Sequence, residues 1–483
     1  MIPKSPAAII AMLAILKADC IYVPIDPEAP ALRTAKILKS CESRCILASG
    51  RVAGLLDELF LDENLRSSTL IGSLGEDCME GQRFRAHFSY RDTSGYSDEP
   101  LDCRNTESDP AHIMFTSGST GVPKGVVITH SNVIHFVNWA VRYFGIGPSD
   151  RISGHPPLHF DLSTFDIFGT FKAGAQLHPV PPELSFLPNT VADFIRRHEL
   201  TQWFSVPSLL QYMARFQVVK MNDFPALRRL LWCGEVFATP SLIHWMKRLP
   251  HVQFTNLYGP TEGTIASSYY TLPACPKEER SSIPIGSPCD GEALFVLDEN
   301  LNQVPPGQTA ELFIAGTGLS PGYWKDEERT HAAFPFSQDA GGCPQRLYRT
   351  GDLGTIGEDG LIYFIGRTDS QIKSRGYRIE LGEIEATMNR LEDVDQSAVV
   401  AIPGEHFEGQ SICCAYSLRP GSLLNPRALR SELARYLPAY MLPAQWMELE
   451  QFPRNGNGKI DRKRVKELFV NKPDTAKTAA AAS

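Results

Sequence analysis

The run MFTSGSTGVPKGVVITHSN, residues 114–132, decides the reading of this chain. An apolar stretch enters a loop made of Thr, Ser and Gly, Lys124 follows, and a second apolar stretch leaves. Such a loop turns backbone N–H groups and hydroxyls toward an anion, and the lysine adds a point charge. Neither GxxxxGK[ST] nor GxGxxG can be laid over it, so it is neither a Walker A loop nor a dinucleotide fingerprint. Taken alone, the segment also reads as a solvated Gly/Ser surface loop.

Around it lie 483 residues, enough for two or three domains, with 43% hydrophobic and 21% charged residues. That composition excludes a disordered, collagen-like or disulfide-stapled chain. The 47 basic and 55 acidic residues give a net charge of −8 without a block of one sign, which argues against a general nucleic-acid binder. The first apolar run, Pro6 to Leu16, is about half of a bilayer span. Lys17 and Asp19 stand where a signal peptide needs small residues. A buried helix feeding a strand over CIYVPI, residues 20–25, is the expectation, with no membrane segment and no export signal. The 11 cysteines are scattered, and the close pairs Cys41/Cys45 and Cys413/Cys414 match no zinc pattern, so free thiols in a reducing cytoplasm are expected.

From roughly residue 5 to 275, helical and strand signals alternate. Asn189–Thr190 can cap a helix with Val191, Phe194 and Ile195 on one face, and a strand over Trp203 to Val206 follows. This texture predicts βαβ units around mostly parallel sheets. Between Ile283 and Arg367 short strands and turns predict a β-rich subdomain, with a hairpin at Asp359–Gly360. After Arg367 a charged loop, QIKSRGY, leads into an amphipathic helix and then a compact α+β unit. The expected class is therefore α/β, with a large domain over 1–368, a small α+β domain over 369–470 and a flexible tail over 471–483.

Three further segments carry chemistry. In NLYGPTEGTIASS, from Asn256, Tyr258 offers an aromatic face, Thr261 a hydroxyl and Glu262 an oxygen ligand of the kind Mg²⁺ takes with phosphates. A Pro-Gly bend explains the same residues more plainly. In LYRTGDLG, Asp352 can accept hydrogen bonds from vicinal hydroxyls, or merely satisfy its own turn. In NGNGKIDR, Lys459 sits in a glycine-flanked loop, where a lysine is ordinarily solvated charge.

In this order, and together with LKADCIYVPIDPEAP, HFDLSTFDIFG, ELFIAGTGLSPGYW and GRTDSQIKSRGYRIELGEIE, these segments resemble the adenylate-forming superfamily. Within it the chain is similar to the amino-acid adenylation domains of nonribosomal peptide synthetases and to stand-alone D-alanine–carrier protein ligases. The resemblance implies a two-step ligase that uses ATP and Mg²⁺. A carboxylate first forms an acyl-adenylate with release of pyrophosphate, and the phosphopantetheine thiol of a separate carrier protein then captures the acyl group.

By that resemblance Thr116, Ser117, Ser119, Thr120 and Lys124 cradle the β- and γ-phosphates with Thr261 beside them, and Glu262 holds Mg²⁺. Tyr258 stacks on adenine near Asn256 and the Gly234 backbone, and Asp352 takes the ribose hydroxyls with help from Arg367. Lys459 bridges the substrate carboxylate and the α-phosphate. The resemblance makes Asp369 the hinge about which a mobile C-terminal domain rotates, removing Lys459 and bringing the loop at Gly376 to the thioester-forming side. Asp161 matches the aspartate that receives a substrate α-ammonium; from the residues alone it is equally an N-cap for Ser163 and Thr164. By the same matching, the side-chain pocket comprises Leu162, Phe165, Ser208, Leu231, Cys233, Leu257, Ile265 and Ala266. None is charged, which implies a small to medium apolar side chain. The resemblance implies a further stretch before Pro3, so either an N-terminally shortened domain or a mis-set start is expected. An acyl- or aryl-CoA synthetase of the same fold and a non-catalytic nucleotide-binding relative are the alternatives; Asp161 argues against the first, and Lys124, Glu262, Asp352 and Lys459 against the second.

Overall fold

The structure, a computed structural model, describes residues 1–75, 78–118, 121–184, 187–338, 344–404, 410–422, 424–455 and 459–471. Ser119 and Thr120 of the expected phosphate cradle and residues 472–483 of the expected tail lie outside the described residues. The chain forms two compact units. One is Met1–Thr116 with Pro123–Asp369; the other joins Ser117–Val122 to the chain from Ser370 onward.

Ser5 caps the first helix, Pro6–Lys17, by accepting from the Ala8 N–H, and a proline fills the first turn where no N–H is needed. Ala8, Ile9 and Met12 are buried, as the spacing requires. The strand expected over residues 20–25 is reduced to one bridge between Tyr22 and His112. Pro24 and Pro27 supply no N–H to a ladder, so pairing stops after a single exchange with Ala111 and Ile113.

The centre of the first unit is a seven-stranded sheet. Its order is Ser287–Pro288, Ser268–Thr271, Gln253–Tyr258, Arg229–Cys233, Gln202–Ser205, Arg151–Gly154, Gln176–Pro179. The last five strands are parallel, and Ser268–Thr271 is antiparallel to both of its neighbours. The chain moves outward from Arg151–Gly154 to one edge and then returns to build the other side. Ligands in open α/β sheets bind at the carboxyl ends of the strands beside such a reversal. Crossover helices include Pro188–Arg197, Pro207–Arg215 and Thr239–Arg248, each opening at or next to a proline. Val191, Phe194 and Ile195 face the core as expected, but Leu187 holds the cap position and Thr190 instead donates to the Leu184 and Leu187 carbonyls. Proline at the first helical position moves the start two residues ahead of the polar pair.

Pro110–Thr116 pairs antiparallel with Lys124–Thr129, which pairs in turn with the short strand Gly322–Tyr323. The β-rich region is a four-stranded antiparallel sheet of Glu292–Leu297, Thr309–Gly316, Tyr348–Ile356 and Ile362–Arg367. Its last two strands form the expected hairpin, with Gly360 at φ +76° in the turn.

In the second unit the segment expected as a charged loop is a hairpin, Gln371–Ser374 against Tyr377–Glu380. Arg375 and Gly376 both take positive φ, the requirement of the tight two-residue turn that matches strand twist, and Ile372 and Ile379 alternate inward. Helix Leu381–Met388 follows, then the sheet Val394–Pro403, Gln410–Leu418, Gln445–Glu448 with helices Pro426–Leu433 and Arg462–Val470. Among the described residues no helix is long and apolar enough to cross a membrane.

Candidate active site

Thr116 and Lys124 are cross-strand partners at the mouth of the Gly/Ser loop. The Thr116 hydroxyl is buried and makes no hydrogen bond among the described residues, an unusual state for a native polar atom. The Lys124 ammonium lies 3.0 Å from Glu262 Oε1 and 3.2 Å from the Tyr323 hydroxyl. Glu262 is fully buried, on a single 3₁₀ turn, Thr261–Gly263, after strand Gln253–Tyr258. A buried carboxylate is tolerable because a cation pairs with it. Its hard oxygen donors beside a lysine and an orphan hydroxyl suit a magnesium–triphosphate unit.

Within the second unit, the Ser117 hydroxyl donates to the Arg378 carbonyl and accepts from the Glu380 N–H, and the Gly118 N–H donates to Glu383. Ser117 is thereby gathered with the segment that opens helix Leu381–Met388, and Lys124 with Glu262.

At the carboxyl end of the next parallel strand, Arg229–Cys233, Gly234 takes φ +93° and a Cβ there would meet open space, so its backbone can be approached closely. Asn256 is held by donating to the Pro284 carbonyl at 2.8 Å. The Tyr258 hydroxyl donates to Asp352 Oδ2 at 2.7 Å, and burial with the facing carboxylate pushes that phenol well above its ordinary pKa. Arg367 grips the other Asp352 oxygen and makes a two-pronged contact with Asp369, both bonds at 2.8 Å. One guanidinium thus orients both the expected ribose acceptor and the expected hinge residue.

Asp161 lies in the connection that follows strand Arg151–Gly154 and starts the helical turn Leu162–Thr164. Its side chain makes no capping hydrogen bond; the Ser163 and Thr164 N–H groups go to the Phe160 and Asp161 carbonyls. The helix continues as a π-helical turn, Phe165–Gly169, a deformation that recurs at functional sites. Leu162, Phe165, Leu231, Cys233, Leu257, Ile265 and Ala266 form one buried cluster with Phe136, Trp139 and Phe204. Ser208 is not in it; its N–H is held by Glu235 on the neighbouring loop. Thr264 and Ile265 both carry positive φ, and the Ala266 N–H closes on the Thr264 carbonyl across Ile265. That is a strained γ-turn at a β-branched residue, and strain of this kind concentrates at sites. The Thr264 hydroxyl, donating to the Gly318 carbonyl at 2.6 Å, secures it.

In the second unit, Lys459 is exposed in a loop closed on itself: its N–H donates to Asn455 Oδ1, and its carbonyl accepts from the Asn455 N–H. Two buried polar side chains escape the sequence reading. Tyr323 was legible only as the tyrosine of the quoted GLSPGYW, and Asp166 only as a second acid in FDLSTFD.

The sequence matches the family model of AMP-binding enzymes over residues 1–324 and that of their C-terminal domain over residues 383–459. It is 34% identical to an L-proline–(L-prolyl-carrier protein) ligase of Streptomyces coelicolor over 467 residues, 96% of this chain and 85% of the ligase. It is 35% identical to bacitracin synthase 1 of Bacillus licheniformis over 96% of this chain, which spans only 8% of that much longer synthase. The fold is similar to the crystal structure of the Vibrio cholerae adenylation domain AlmE in complex with glycyl-adenosine-5'-phosphate, at TM-score 0.81 and 27% identity over 98% of this chain and 88% of that one. Two family models met in their proper order, and a ligase of similar size aligned nearly end to end, establish that the chain belongs to the AMP-binding enzymes.

Proposed function

We propose that this enzyme activates an amino acid with ATP and passes it to the phosphopantetheine thiol of a carrier protein. In the first half-reaction a carboxylate oxygen of the amino acid attacks the α-phosphorus, the bond to the β-phosphate oxygen breaks, and pyrophosphate leaves. In the second the thiol attacks the acyl carbonyl, loses its proton and expels AMP. What carries the reading is the coincidence of three chemistries in the first unit: the Lys124–Glu262 pair with the orphan Thr116 hydroxyl, the Tyr258–Asp352–Arg367 chain, and an apolar cluster that includes Leu162, next in sequence to Asp161.

Lys124 and Thr116, with Ser117, Ser119, Thr120 and Thr261, take the phosphates; Tyr258, Asn256 and the Gly234 backbone take the adenine; Asp352 and Arg367 take the ribose. Glu262 holds Mg²⁺, which when bound neutralises charge on the phosphates. Lys459 contributes the charge that stabilises the pentavalent α-phosphorus, since phosphoryl chemistry asks for positioning and electrostatics above all. Asp161 receives the α-ammonium, and Leu162, Phe165, Ser208, Leu231, Cys233, Leu257, Ile265 and Ala266 fit a small to medium apolar side chain. Asp369 is the hinge, and the turn at Gly376 serves the thioester step. Two relatives, a prolyl-carrier protein ligase and a domain holding a glycyl-adenylate, support the same substrate class.

The test is substrate-dependent ATP–pyrophosphate exchange across the amino acids, D-alanine, fatty acids and aryl acids. Exchange with one small to medium apolar amino acid is expected. Exchange with fatty or aryl acids alone, or with no acid at all, overturns the proposal.

A further inference from the structure

Lys124 cannot serve Glu262 and a triphosphate with the same geometry, yet Glu262 is fully buried and cannot be left without a counterpart. Tyr323 resolves that conflict. Its strand, Gly322–Tyr323, pairs with Lys124–Thr129 so that Tyr323 stands opposite Val126, and Lys124, two residues earlier, projects from the same face. The Tyr323 hydroxyl donates to Glu262 Oε1 at 2.8 Å while lying 3.2 Å from the Lys124 ammonium. Lys124 also sits 4.9 Å from the centroid of the Tyr323 ring.

The tyrosine is itself anchored. The Ser320 N–H donates to the Glu262 carbonyl at 2.9 Å, the Ser320 hydroxyl to the Val127 carbonyl at 2.6 Å, and the Tyr323 N–H to Thr330 Oγ1 at 3.0 Å. Arg346 holds the Ser320 and Pro321 carbonyls, both at 2.7 Å. Gly322 takes φ +141°, and a Cβ there would come within 2.4 Å of Thr330, so only glycine lets this strap lie so close. The strap therefore fixes the Glu262 main chain and side chain from the same four residues.

We infer that Tyr323 is the positioning residue for the metal ligand: it keeps Glu262 Oε1 hydrogen-bonded while Lys124 turns to the phosphates, and so presents the carboxylate to the incoming cation. The inference rests on the reading of Glu262 as the Mg²⁺ ligand. It does not make Tyr323 a catalytic residue, because the hydroxyl acts through Glu262.

The experiment measures Mn²⁺ binding by the loss of its free-ion EPR signal, using the full chain with α,β-methylene-ATP, in the wild type, Tyr323→Phe, Tyr323→His and Glu262→Gln. Binding of the analogue without metal is measured alongside. Tyr323→Phe keeps the ring packed near Phe334, 6.0 Å between centroids, and removes only the donor. Roughly tenfold weaker Mn²⁺ binding is expected for Tyr323→Phe, the scale of one hydrogen bond to a charged group, with analogue binding in the absence of metal unchanged. Partial recovery is expected in Tyr323→His, which restores a donor. Wild-type Mn²⁺ affinity in Tyr323→Phe, alongside a weakened Glu262→Gln, overturns the role of Tyr323 and leaves the metal ligand standing. Wild-type affinity in Glu262→Gln overturns both. Equal losses with and without metal in Tyr323→Phe reduce Tyr323 to a packing residue and also overturn the inference.

Discussion

Two acids five residues apart divide their labour by environment. Asp161 is half-buried at a helix start and makes no capping hydrogen bond there. Asp161→Ala is expected to raise the KM of the amino acid strongly while sparing its deamino analogue, read by pyrophosphate exchange with each; equal losses return Asp161 to a local structural role. Asp166 is 1% exposed, and burial raises its pKa well above the ordinary aspartate value of 3.8 despite the opposing pull of the nearby Lys4 and the His155 backbone. The unfolded chain therefore releases this proton at lower pH than the folded one, so Asp166 costs stability as pH rises past 3.8. Asp166→Asn is expected to raise the melting temperature at neutral pH, with the gain fading toward pH 4. A gain that is the same at both pH values would remove ionisation as its cause. Nothing in FDLSTFD separates these two aspartates by type; only the fold assigns one to the rim and one to the interior.

Elements were legible where periodicity and turn chemistry agree and illegible where a single residue decides. Helix Pro6–Lys17 and the Asp359–Gly360 hairpin belong to the first kind. Of the second, prolines erase the strand at residues 20–25, and an Arg375–Gly376 turn converts a charged stretch into a hairpin whose long polar residues hide its alternation. The buried ion pair that locks the parallel sheet was likewise unreadable, because its members lie far apart in sequence. Arg229 contacts Asp150 and donates to Gln202 Oε1 and the Phe144 carbonyl, while Asp150 also accepts from Thr201 at 2.6 Å and from the Gly147 N–H. The pair joins the amino ends of strands Arg151–Gly154, Gln202–Ser205 and Arg229–Cys233, opposite to the site residues. Arg229→Met leaves buried Asp150 with only the exposed Arg228, 3.8 Å away, as a cation and is expected to cost about 3 kcal/mol in denaturant unfolding while barely moving the KM for ATP. A loss under about 1 kcal/mol would show that Arg228 or water replaces the guanidinium without penalty.

At the scale of the molecule, the residues assigned to nucleotide and substrate lie mostly in the first unit and Lys459 in the second. A separation of this kind permits one half-reaction to be removed without the other. Lys459→Ala is expected to lower adenylate formation by several orders of magnitude while thioester formation from supplied acyl-adenylate persists; parallel losses would tie Lys459 to both steps. The βαβ alternation made the large domain's architecture readable in advance. The assignment of Ser117–Val122 to the second unit was not readable, because the hydroxyl and N–H groups expected to meet phosphate meet main-chain and carboxylate partners more than two hundred and fifty residues away, a pairing with no periodic trace.

The γ-turn at Ile265 bears on how such a pocket and the acid beside it are held. Its course is set by the Ala266 N–H, the Thr264 carbonyl and the Thr264–Gly318 hydrogen bond, none of which involves the side chains of Ile265 or Ala266. The hydrogen bonds that shape the turn are thus main-chain and Thr264 bonds, while the Ile265 and Ala266 side chains, both buried, answer to the packing of the apolar cluster. On the proposed assignment, the residues that meet the substrate side chain and the acid that meets the metal lie three positions apart, held by separate sets of contacts: the apolar cluster for the first, Lys124 and Tyr323 for the second.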